Sequence, residues 1–192
     1  SYTSPDIILS LRNSGFTSDE ISNWAVFAAK YRNNPPDDLA KQMISWKQAG
    51  FDPHDAASYS VSGLDVKGGQ YAQKYCRGRF EQQDITTVNP YRVKNHCFVF
   101  NGEVVQLLNE TTVLADEASN PGEQLLANRL GIATSNSSSN LVRVIFGRNS
   151  GAPANGTDFS VLVKGIGAYK FQSMAGEEIV PSVTVLYEIQ SQ

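Results

Sequence analysis

Apolar residues recur at helical spacing through the first sixty positions of this chain and alternate with polar ones after about residue 84. The change of period divides the chain. Ser4-Pro5-Asp6 opens a run of Ile7, Ile8, Leu9 and Leu11 that Gly15 ends. Thr17 followed by Glu20 is a capping box. It precedes one apolar stripe, Ile21, Trp24, Ala25, Phe27, Ala28 and Tyr31, which Asn33-Asn34-Pro35-Pro36 stops. Pro36-Asp37-Asp38 suits the start of a third helix, because proline fits the first turn and acids favour the positive end of the dipole. Leu39, Met43, Ile44 and Trp46 form its buried side, and Gly50 is its C-cap. Asp52-Pro53 begins a shorter fourth helix. Residues 10–24 and 45–59 form a weak internal repeat, each using Gly-Phe after a helix, then an acidic cap and then an aromatic. Residues 58–70 are small and polar, with Gly63, Gly68 and Gly69, and read as a linker or exposed loop. Beyond them the alternation predicts strands at 84–88, 97–100, 103–108, 141–146, 158–163, 168–171 and 182–189, with one helix at 121–130. The expected fold is α+β: a helical N-terminal segment or lid over residues 1–65, then a mostly antiparallel β-sandwich core over 66–192.

Composition narrows the choice of partners. With 41% hydrophobic and 18% charged residues, the chain buries a core and is not disordered. A net charge of -3 argues against a broad nucleic-acid face, which needs clustered cations. No stretch approaches the length of a bilayer span, so no membrane partner is expected. Cys76 and Cys97 have no CxxC spacing; one bridge and two free thiols are both open. His96 adjoins Cys97, but neighbours on a strand face opposite ways, so the two form no dyad. A hydrolase using Cys97 would need a histidine facing its sulfur. No His/Cys/Asp cluster has metal-ligand spacing, and neither a Walker loop nor GxGxxG occurs.

Three elements remain. The first is an early arginine, either Arg77 in Tyr75-Cys76-Arg77-Gly78 or Arg92 in Pro90-Tyr91-Arg92-Val93. The second is the run from Asn101 to Ser119, with Gly102, Val104, Val105 and Leu107 before Thr111-Thr112-Val113. The third runs from Ser173 to Ile189, where Glu178 directly precedes Ile179-Val180-Pro181. In that order they resemble the mono-ADP-ribosyltransferases of the Arg–Ser–Glu class, phage-encoded host-modifying enzymes and small toxins among them.

The resemblance implies transfer of ADP-ribose from NAD to a side chain of a target protein, with nicotinamide leaving and no metal. It implies action in a host-cell cytoplasm. Glu178 would be the catalytic glutamate, with Glu177 beside it and Thr112 orienting it. Arg92 or Arg77 would grip the pyrophosphate, Arg92 being the better placed, with Tyr91 and Thr111 at the cofactor. The chemistry needs these types: a guanidinium fork holds phosphate bidentately, and a carboxylate beneath the ribose stabilises an oxocarbenium-like centre. Tyr169 and Phe171 would pack on nicotinamide or the target. Gly176 stands where many members carry a further acid, which leaves the acceptor residue open. The alternative is a non-catalytic protein–protein interaction or assembly module on the same scaffold.

Overall fold

The first helices are started and stopped by residues next to them in sequence. The computed structural model describes residues 4–31, 37–117, 140–148, 150–173 and 176–189. Its helices are α1 (Pro5–Asn13), α2 (Ser18–Lys30), α3 (Leu39–Gln48), α4 (Pro53–Val61) and α5 (Val66–Cys76). Three joints between them share one construction: Gly15-Phe16-Thr17, Gly50-Phe51-Asp52 and Gly63-Leu64-Asp65. Each glycine takes a left-handed φ of 84–86°. The next amide reaches back five residues, Phe16 to Leu11, Phe51 to Trp46 and Leu64 to Tyr59, at 3.0–3.2 Å. This is the Schellman closure. The third residue then caps the following helix: Thr17 accepts from Glu20, Asp52 from His54 and Asp55, and Asp65 from Gly68.

Residues 58–70 are therefore not a linker. They hold a third copy of the joint and the first turn of α5, whose glycines disguise it. A Cβ at Gly69 would lie 2.5 Å from the Trp46 ring, so the helix accepts a poor helix former to let the indole approach. Contacts separate Ser1–Gln70 from Tyr71–Gln192. The core of the first unit is aromatic. Phe16, Trp24, Phe27 and Tyr31 follow one another at 5.6–6.0 Å between ring centroids, and Trp46, Phe51 and Tyr59 form a second group.

Among the described residues the second unit is a single mixed sheet of five strands: β1 (Cys97–Asn109), β2 (Thr112–Glu117), β3 (Leu141–Ile145), β4 (Asp158–Ser173) and β5 (Gly176–Glu188). Their spatial order is β1-β2-β3-β5-β4, and β4 pairs with β1 to close a barrel. All pairings are antiparallel except β3 with β5. The α+β class holds, but one closed sheet stands in place of the two facing sheets of a sandwich. Strand length and bulges explain the closure. Strands β1, β4 and β5 run 13, 16 and 13 residues. Register shifts at Val104/Gln106, Leu162/Val163 and Gly165/Gly167 bend them enough for β1 and β4 to meet. Pairs expected as separate strands, 97–100 with 103–108 and 158–163 with 168–171, are each continuous. The expected strand at 84–88 is a 3-10 turn, Ile85–Thr87, because the Asp84 carboxylate captures the Thr86 amide. The helix expected at 121–130 lies outside the described residues.

Phe98, Phe100, Val104, Val113, Val142, Val144, Val161, Val163 and Val183 fill the barrel, and Ile85 and Val93 join them from the preceding segment. That segment is zipped to β4: Asn95 donates to the Gly165 carbonyl and Gly165 to that of His96, both at 2.8 Å. A Cβ on Gly165 would sit 1.9 Å from the Val93 carbonyl oxygen. Only glycine permits this approach.

Candidate functional site

Helix α5 ends where β1 begins, and a disulfide between Cys76 and Cys97 ties the two, their Cα atoms 5.7 Å apart. Both cysteines are buried. The bridge settles the question that spacing left open, and it removes Cys97 as a nucleophile. The chain leaves the helix through Arg77 at φ 49° and Gly78 at φ 75°. An arginine in the left-handed region costs on the order of 1 kcal/mol, and Asn or Gly is the usual choice there. The Arg79 amide then bonds the Cys76 carbonyl at 3.0 Å, and the Cys97 amide bonds that of Arg79 at 2.9 Å.

A pocket of about 530 Å³ opens beside the bridge, lined by Lys74, Tyr75, Cys76, Arg77, Arg79, Asn95 and Lys164. Four of the chain's 16 basic residues meet here, and among the described residues no carboxylate lines the cavity. Among the described residues none of the four enters an ion pair. The carbonyl end of α5 carries roughly half a negative charge. Lys164 answers it by donating to the Tyr75 carbonyl at 3.2 Å. Three further cations then face solvent without a counter-charge among the described residues. Hydrogen bonding to the Tyr75 hydroxyl, and then the charge that Tyr75 and Tyr71 take on when they ionise, hold Lys74 above its ordinary pKa.

The residues singled out by sequence are dispersed. Arg77 lines this pocket, whereas Arg92 lines another, of about 380 Å³, with Glu81 and His96. In that second pocket His96 Nδ1 lies 2.7 Å from Glu81 Oε1. Thr112 opens β2, buried, on a row that crosses Ile145, Thr184 and Lys164. Thr111 sits in the β1–β2 turn, its amide and hydroxyl both on the Asn109 side chain. Glu178 faces Phe171 in the β4–β5 hairpin. From Thr184 to Glu178 is six residues, roughly 20 Å along an extended strand. Threonine and glutamate are thus not brought together. Glu177 and Glu178 point to opposite faces of the hairpin. Glu177 pairs with Lys170 at 2.9 Å, and Tyr91, 63% exposed, adds its field to the same lysine.

Sequence reasoning passed over Arg143. Its guanidinium lies 4.3 Å from the Tyr169 ring centre, and its Nη1 donates to Ser182 at 3.3 Å. Tyr169 in turn stacks on Phe171 at 6.3 Å. The signal was an arginine at the outward position of an otherwise apolar strand, Leu141 to Ile145. Also overlooked was a carboxyl pair. The Thr86 hydroxyl lies 2.8 Å from Asp84 Oδ1 and 3.0 Å from Glu117 Oε2. Burial, and then Asp84, push Glu117 up to about 7. Among the described residues no group of acids, histidines or cysteines is placed to hold a metal, and no helix is long and apolar enough to cross a membrane. No family model, curated protein or solved structure matches this chain.

Proposed function

We propose that the barrel unit is a binding module for a phosphate-bearing anion, seated in the pocket beside the disulfide. The supporting observation is the convergence of Lys74, Arg77, Arg79 and Lys164 in one concavity that no described carboxylate lines, within a chain of net charge -3. Uncompensated cations on a folded surface repel one another, so their assembly has a cost that a bound anion relieves. Guanidinium forks match phosphate oxygens bidentately, and Asn95 adds a neutral donor. Backbone strain at Arg77 fits a residue held for binding. A closed five-stranded barrel with this order has the form of the OB-type barrel, a scaffold for binding oligonucleotides and oligosaccharides. That likeness is one of architecture and names no ligand.

The test is calorimetric titration of the intact chain with pyrophosphate. Saturable binding that weakens with added salt is expected, falling at least about tenfold in the double variant Arg77→Ala, Arg79→Ala. Binding unchanged in that variant would refute the reading. A parallel arm with NAD addresses the transferase reading, whose pyrophosphate grip would be Arg92 in its own pocket or Arg77 in this one. Release of nicotinamide, abolished by Glu178→Gln, would favour the enzyme over the binding module.

A further inference from the structure

A second cavity of the barrel has the opposite character. It measures about 540 Å³ and opens on the end of the core where β1, β4 and β5 adjoin. Its floor is apolar: Phe146 and Val161 are buried, Phe159 packs against the core, and Pro153 and Ile189 close the sides. The rings of Phe146 and Phe159 meet edge to face at 5.4 Å. Asp158 and Glu188 stand on the rim, and among the described residues no cation lines the cavity. Glu103 lies directly opposite Asp158 in the β1–β4 ladder, a like-charge pairing that a sheet does not favour. Among the described residues none of the three carboxylates has an ion-pair partner.

We propose that this cavity binds a small organic cation, an aromatic or alkyl group bearing an ammonium. Size and lining fit a small molecule, and barrel mouths are common places for one. The apolar floor takes the hydrocarbon, and aromatic faces also favour an ammonium. The rim supplies the complementary charge. A bare metal ion does not fit, since these acids form no metal-holding group. The proposal stands apart from the phosphate pocket, which carries the opposite charge and shares no residue with this cavity.

The experiment follows backbone amide shifts of the full chain during titration with 2-phenylethylammonium, the neutral 2-phenylethanol and the anionic phenylacetate. The ammonium should shift Gly102, Val161 and Ile189 saturably. It should bind about threefold to tenfold tighter than the alcohol, the margin that solvent-facing carboxylates supply. Added salt should narrow that margin, and Asp158→Asn with Glu188→Gln should erase it; both residues are exposed, so the fold tolerates the change. Equal affinity for the three probes would overturn the assigned charge. Shifts that stay linear to about 10 mM, weaker than any specific site, or that spread away from the cavity would overturn the site itself.

Discussion

The helical unit and the barrel unit specify their structures at different ranges. In the first, each turn of direction is written in three adjacent residues, a glycine, an apolar staple and a cap, repeated at residues 15–17, 50–52 and 63–65. In the second, the decisive contacts join residues far apart in sequence: Val93 with Gly165, Cys76 with Cys97, Asp84 with Glu117. Local specification divides the cost of error among many joints. Closure concentrates it in a few positions, since a barrel with one pairing missing is no longer a barrel.

Three measurements press on this contrast, in falling order of effect. Gly165→Ala should be the most damaging, by about 3 kcal/mol or more, since the added carbon meets a backbone carbonyl that cannot move aside. Methyl NMR should show the barrel core lost. The emission of Trp24 and Trp46, the chain's two tryptophans, reports the helical unit and should keep its native wavelength. Loss of both signals together would erase the distinction between the units. Thr17→Ala removes one cap of one joint and should lower stability by about 1 kcal/mol in thermal unfolding followed by tryptophan emission. Thr17→Asp should restore it. The smallest effect is that of pH. Glu117 binds its proton more tightly folded than unfolded, so its contribution is full below the ordinary carboxylate range and is lost as pH rises through about 7. The melting temperature should therefore fall between about pH 5 and about pH 8, and Glu117→Gln should flatten that part of the profile.

The same contrast explains what could be read from sequence. The capping box at Thr17–Glu20, the stops at Gly15 and Gly50 and the start at Asp52 were all legible, because cause and effect lie within a few residues. Helix α5 was not, because Gly68 and Gly69 suggest a loop unless the Trp46 ring against them is known. Most strand positions were legible, but not the sandwich-versus-barrel choice, which depends on bulges in long strands. The arginine, threonine and glutamate of the transferase pattern were picked by order along the chain. Order does not encode register, and six residues of β5 separate the row of Thr112 from Glu178. The cationic pocket is assembled from α5, the loop before β1 and β4, so no window of sequence displays it.

Closure has one further consequence. A strand inside the ring has both flanks occupied and cannot recruit another chain by main-chain hydrogen bonding. Beyond the ring β4 and β5 continue as a two-stranded arm, Ala168 to Ser173 against Gly176 to Pro181, each bonded on one flank in the described ladders. Such flanks invite unwanted strand addition, and charged side chains discourage it. Lys170 and Glu177, salt-bridged across this arm, supply those charges. They give Glu177 a duty that needs no chemistry at all: keeping this protruding ribbon from polymerising.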